Sequence, residues 1–449
     1  MMIAVVRDFL ERSSSKTVED LQRLTSRKRI SVPSYIKLIE TDVPQAQRQR
    51  SQDVLSNLLT PADERLIGWA WRSDHHRAPE LRGEWLSPRE RRTNNESTIL
   101  YLHGGAYYLG ASALYRGLLA KILKRTNGDC FAVDYRLAPQ HPFPAAVEDA
   151  LAAYLQLIDP PRDASYKPID PKKIVIAGDS AGGGLTFALL LVLRDANLPL
   201  PAGAMTLSPW LDLTHSLPSI QTNIATDYLP AVGFKHVHSP ALDYTRLPQL
   251  EPHHEEEASI GPFGEAISFP HLDEEMDRIQ FYAANKALKH SLVSPLFDNK
   301  DLAGLPRILV QAGTAERLRD EAIYAALKAG NKFPGASRPS PSASVMLELY
   351  EEQPHVFQML LPTRMAAQAF DRLGQFVLDA TQTSHDPSTF SIRTITADGT
   401  VKDTTDEMVE HTSKQWDTWE ARLKRTSLKE RLAESTATYK QYLESRLSR

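Results

Sequence analysis

The stretch Ile174-Val175-Ile176-Ala177-Gly178-Asp179-Ser180-Ala181-Gly182-Gly183-Gly184 decides how the rest of the chain is read. Its first four residues suit a buried strand, and the run 182–194 suits a helix. Gly178 and Gly182 flank Ser180 at two residues on either side, which predicts a tight strand-to-helix turn. Only glycines let the backbone pass so closely around the serine. Such a turn lifts the hydroxyl clear of the sheet and aims a helix N-terminus at the reacting oxygen. A phosphate-binding loop fits worse, because no Lys-Ser/Thr follows and the glycines miss the G-x-G-x-x-G spacing. A glycine-rich connection without chemistry is the plain alternative.

Outward from this turn, apolar runs at 98–102, 131–137, 173–177, 203–207, 307–311 and 345–350 read as strands. Helical stretches at 114–125, 145–157, 182–194 and 320–329 alternate with them. That alternation argues for an α/β class fold: a mostly parallel central sheet with helices on both faces. Three regions follow. Residues 1–65 are expected to be an N-terminal helical segment, with Val54, Leu55, Leu58 and Leu59 at helix spacing before Pro61. Residues 66–380 carry the sheet, beginning with short strands at 66–72 and 84–86. Within them 222–289, with EPHHEEE at 251–257, is too long for a plain connection and reads as a cap or lid. Residues 381–449 read as a hairpin, 391–396 and 400–403 around Ala397-Asp398-Gly399, then a charged helical tail. In that tail Trp416, Trp419 and Leu423 form a stripe that needs something to pack on. The chain's own domain is the preferred surface, ahead of a partner chain or lipid.

Composition excludes several classes. A net charge of -4 over 449 residues, with no long basic run, argues against nucleic acid as a partner. The single cysteine, Cys130, cannot form an internal disulfide and reads as a packed core thiol in a reducing, cytoplasmic setting. The amino end, MMIAVVRDFLERSSSK, is broken by Arg7 and Asp8, too early for a secretory or membrane-spanning segment. Peripheral contact with a membrane or lipid droplet stays compatible with this reading, and the oligomeric state is left open.

If Ser180 is a nucleophile, it needs oxyanion donors, a base and an orienting acid. In TILYLHGGAYYLG (98–110) a strand ends in small residues that leave backbone N–H groups free. Gly105, with Gly104 or Ala106, and the N–H of Ala181 are the candidate oxyanion hole. His355 follows the last strand and is the candidate base. His103 precedes the serine at a strand end and reads as loop support. His215, His236, His238, His253, His254, His271 and His290 fall in or near the irregular insertion and read as solvated. The acid should follow the strand at 307–311, where Glu316 is preferred to the deeper Asp320. The EPHHEEE cluster is not taken as a metal site.

Together these residues resemble the hormone-sensitive-lipase-like branch of α/β-hydrolases, the GDXG esterases and lipases. The resemblance rests on HGGAYYLGA (103–111), DYRLAPQHPFPAAVEDA (134–150), GDSAGGGL (178–185), SPWLDLT (208–214), SPLF (294–297), AGTAERLRDEA (312–322) and PHVF (354–357), in family order. It implies an α/β-hydrolase fold, a carboxylic ester hydrolase acting through an acyl-enzyme, and a Ser180–Glu316–His355 triad. It also implies no metal and no organic cofactor, a small-molecule or lipid ester as substrate, and a brace from Asp134 to Asp149 under the oxyanion loop. The N-terminal helices would help form a lid. Two departures stand out: Ala106 replaces a third glycine, and Glu316 takes the usual aspartate's place. A non-catalytic, ligand-binding member of the same fold is the competing function, and scaffolding through the tail is a third. Because every candidate catalytic residue lies before 380, the chemistry is expected to survive removal of the tail.

Overall fold

In a computed structural model the chain is described at residues 2–13, 15–26, 30–76, 80–230, 279–336, 343–360, 362–382 and 389–447. Among these, ten strands form one sheet: β1 (Ile36–Val43), β2 (Leu81–Pro88), β3 (Thr98–Leu102), β4 (Asp129–Asp134), β5 (Ile174–Asp179), β6 (Gly203–Leu207), β7 (Arg307–Gly313), β8 (Val345–Tyr350), β9 (Phe390–Ile395) and β10 (Val401–Asp403). Their order is β1-β2-β4-β3-β5-β6-β7-β8-β9-β10. The block from β4 through β3 to β9 is parallel, while β1, β2 and β10 pair antiparallel at the margins.

Strand periodicity divides the core. Ile99 and Tyr101 of β3 and Val175 and Ala177 of β5 face one layer, beneath helices Arg116–Thr126 and Arg364–Gln382. Leu100, Leu102, Ile174 and Ile176 face the other, with helices Ala145–Ile158, Ser180–Asp195 and Arg319–Ala329. With both faces covered, the central strands have no solvated side, which is why they read as largely apolar runs. Cys130 lies in this core, its thiol pushed well up by burial.

Three boundaries move. Residues 36–43, expected to be helical, form edge strand β1, whose branched Ile36, Ile39, Thr41 and Val43 suit a pleated surface. Residues 66–72, expected to be a strand, instead close the helix Pro61–Ile67. A reciprocal cap between Thr60 and Asp63 starts that helix, and Gly68 ends it at φ 75°. The sheet also runs past both expected limits of its domain, with β1 before residue 66 and β9 and β10 after 380. Residues 231–278, including EPHHEEE and five of the insertion histidines, lie outside the described residues. The described margins of the expected cap pack inward at Asp227, Tyr282 and Leu288.

The hairpin forms where expected, and the tail beyond it docks on its own domain. Trp416 stacks on Tyr324 at 4.7 Å and on Phe333 at 5.3 Å, and Trp419 and Leu423 are buried. Arg431 reaches inward to donate to the backbone oxygen of Thr214 at 2.9 Å and to the hydroxyls of Thr214 and Ser216. Burial would raise the Asp212 carboxylate, yet the Arg431 cation and donors from Ser216 and Thr214 hold it below its ordinary range. No helix among the described residues is long and apolar enough to cross a membrane.

Candidate active site

Strand β5 ends at Asp179 and the helix begins at Ser180, whose φ of 50° lies in the left-handed region. The close approach is real on both flanks. A Cβ on Gly182 would stand 2.0 Å from the Leu102 carbonyl oxygen, and one on Gly178 would stand 2.3 Å from that of Gly182. Both clashes are with backbone, which cannot give way without moving the sheet.

His355 follows β8, is 3% exposed, and places Nε2 2.9 Å from Ser180 Oγ. Its backbone N–H donates to Asp227 Oδ1 at 3.1 Å. Glu316, just past β7, is buried, and its Oε2 accepts from Ser208 Oγ at 2.5 Å. Ser208 Oγ in turn accepts from the Val356 N–H at 2.9 Å, so one hydroxyl ties the acid's loop to the histidine's. Glu316 Oε1 and His355 Nδ1 are both buried and each lacks a hydrogen-bond partner among the described residues. Burial pushes Glu316 up to about 8, with Ser208 opposing it, and pushes His355 down to about 4, with the Asp227 carboxylate opposing. The two shifts have one cause, since burial favours whichever forms carry no net charge. Asp320 is occupied elsewhere, accepting from the Ser219 N–H at 2.8 Å and from Arg319 Nε at 2.9 Å.

The oxyanion set loses one member. The Gly104 N–H donates to Asp179 Oδ1 at 2.9 Å, so it is spent on holding the loop. The N–H groups of Gly105, Ala106 and Ala181 have no acceptor among the described residues, and Gly105 at φ 117° and Ala106 at φ 52° turn the chain there. His103 is buried, stacks on Tyr135 at 4.3 Å and bonds through Nδ1 to the Gly104 oxygen at 2.7 Å, a supporting place. Asp134 Oδ1 accepts from Ser112 N–H at 2.6 Å, and Asp149 pairs with Arg136 at 2.9 Å, below the same loop.

Sequence reasoning missed Asp227 and Ser208. Asp227 lies in an irregular run without strand or helix spacing, yet its buried carboxylate accepts from the backbone of Tyr228, Arg317 and His355. Ser208 stood inside SPWLDLT without a role, although a polar residue just past the end of a buried strand was a usable signal. Two histidines read as solvated are not. His290 is 2% exposed and accepts from the Leu292 N–H through Nδ1, and His215 lines a cavity beside Ser180. Within the described residues that cavity measures about 80 Å³ and is walled by Ala106, Tyr108, Trp210, Ile220 and Phe281, among others.

A family model described as the alpha/beta hydrolase fold matches residues 99–246. The acetyl-hydrolase of Streptomyces hygroscopicus is 33% identical over 285 residues, 63% of this chain and 74% of that protein. A solved esterase of the bacterial hormone-sensitive lipase family is 27% identical, with a TM-score of 0.57 over 85% of this chain and 97% of its own. The chain belongs to the hormone-sensitive-lipase-like α/β-hydrolases. An esterase of Acinetobacter venetianus is also similar, 30% identical over 54% of this chain and 63% of its own length. The protein is thus a carboxylic ester hydrolase of the α/β-hydrolase fold. In this α/β-hydrolase the serine sits at a strand-to-helix turn, and the β9–β10 hairpin continues the same sheet.

Proposed function

We propose that this hydrolase cleaves small carboxylic esters through an acyl-enzyme on Ser180, with His355 as base and Glu316 as the acid that orients it. The observation that carries the reading is the 2.9 Å contact between Ser180 Oγ and His355 Nε2. His355 takes the serine proton as Oγ attacks the ester carbonyl, then returns it to the departing alcohol. The oxyanion meets the N–H groups of Gly105, Ala106 and Ala181 and the N-terminus of the Ser180–Asp195 helix. Water then repeats the sequence and frees the acid. Glu316 Oε1 and His355 Nδ1 are assigned to each other, because each is a buried polar atom without a hydrogen-bond partner among the described residues. The large side chains of Tyr108, Trp210 and Phe281 close in on the space beside Ser180, which favours a short acyl group. The relative named an acetyl-hydrolase points the same way. The helix Val18–Ser26 acts as a lid support, since Gln22 Nε2 donates to the Tyr108 and Ala138 oxygens at 3.1 and 3.0 Å.

The acid assignment has a specific test. Glu316→Gln keeps the size but removes the charge that stabilises the imidazolium, so turnover should fall ~10³–10⁴-fold. Asp320→Asn should cost far less. A reversed ranking would put the acid at Asp320.

The pH profile gives a second readout. His355 must be neutral to act, so kcat/KM should rise with pH through a limb between about 4 and about 8, the values of the two buried partners. In Glu316→Gln no carboxylate offsets the burial of the imidazolium. His355 then gives up its proton at lower pH, and the limb should move toward acid. An unchanged or alkaline-shifted limb would show that Glu316 does not face His355.

A further inference from the structure

Arg317 is the one permanently charged side chain among the described residues lining the cavity that holds Ser180, and no carboxylate lines it. Several other inward-facing arginines meet carboxylates directly, although buried Arg431 bonds only to neutral oxygens. Arg136 meets Asp74, Glu148 and Asp149, Arg194 meets Asp195 and Asp298, and Arg116 meets Glu84. Arg317 is 3% exposed, yet its guanidinium has only neutral partners among the described residues. Nε donates to the Ile220 oxygen at 2.7 Å, and Nη1 to the oxygens of Pro230 at 2.5 Å and Leu229 at 3.4 Å. No described residue accepts from Nη2. The nearest acid, Asp227, is bonded to three backbone N–H groups, that of Arg317 among them. Burial lowers the guanidinium to about 10, with Asp227 opposing and the Arg7 cation adding to it. A buried cation so placed is costly to keep unless something negative meets it.

We propose that the ester cleaved here carries a carboxylate, which Arg317 binds inside the cavity beside Ser180. The inference rests on the hydrolytic role given to Ser180 and narrows the substrate class from small esters to small anionic ones. Guanidinium is suited to this task, because Nη2 is left to donate to a carboxylate oxygen and the group stays charged at any working pH. The rest of the wall, Tyr108, Trp210 and Phe281 with neutral His215, excludes water and strengthens the single charge contact.

Two matched ester pairs test it, with rates normalised to uncatalysed hydrolysis. p-Nitrophenyl butyrate against p-nitrophenyl hemisuccinate places the charge on the acyl side. Phenyl acetate against 4-acetoxybenzoate places it on the alcohol side. In one pair the anionic member should show kcat/KM about 10- to 100-fold higher, the scale of a charge-assisted hydrogen bond. Arg317→Met should bring that ratio to one or below, and the ratio cancels any general loss of activity. Should that variant fail to fold, wild-type inhibition reads the same contact: butyrate should bind about 10-fold or more tighter than butyramide. Turnover of the neutral esters without preference in either pair overturns the role of Arg317 and leaves the hydrolase reading standing. No turnover of any of the four overturns both.

Discussion

Ser180→Ala should lower ester turnover by ~10⁴-fold or more while the protein stays folded, since losing the nucleophile disables the whole relay. A fluorophosphonate should label the wild-type protein at Ser180 and leave the alanine variant unlabelled. The geometry makes this sharp. The serine's φ of 50° and the 2.9 Å bond to His355 belong to a hydroxyl held for reaction, and an alanine there removes Oγ without filling space. The competing role, a binding protein on the same scaffold, requires the opposite result: equal and negligible turnover in both proteins, with no label. Undiminished hydrolysis in the variant would move the nucleophile elsewhere.

Ending the chain at residue 380 should abolish both folded protein and activity, against what the position of the catalytic residues alone would suggest. Truncation strips β9 from β8 and removes Trp416 and Trp419, each fully packed. Losing a buried tryptophan costs about 3–5 kcal/mol. It also takes Arg431 from the buried oxygens of Thr214 and Ser216, and a buried acceptor left unmet costs about 1–3 kcal/mol. Together these losses are comparable to a typical stability of about 5–15 kcal/mol. Arg431→Met is the milder version and should destabilise by about 1–3 kcal/mol. It acts through the loop that carries Trp210 and His215 into the cavity. A soluble 1–380 chain with the full-length melting temperature and undiminished turnover would refute this account.

Where the sequence was readable, a strong local constraint made it so. Strands β3, β6 and β8 fall at 98–102, 203–207 and 345–350 as read, because a strand covered on both faces is mostly apolar, with Thr98, Thr206 and Glu348 the exceptions. Ser180 was legible from two glycines whose Cβ atoms would strike backbone. Edge strand β1 was not, because Lys37, Glu40 and Asp42 face water and its partners on β2 run from Leu81 to Pro88, far ahead in the sequence. Asp227 was hidden for a related reason. Its role comes from three backbone N–H groups, and two of them, on Arg317 and His355, belong to distant loops. Gly104 was misjudged because its neighbours have free N–H groups, and only the fold shows that its own faces Asp179.

The Arg431 anchor has a consequence for how the molecule is made. Translation delivers Thr214 first and the guanidinium that grips it 217 residues later. A nascent chain can assemble its sheet piece by piece from the amino end. Until residue 431 has emerged, the loop of Asp212, Thr214 and Ser216 waits without the donor that holds it. That loop also carries Trp210 and His215, so the wall of the cavity is set later in synthesis than the serine it shelters.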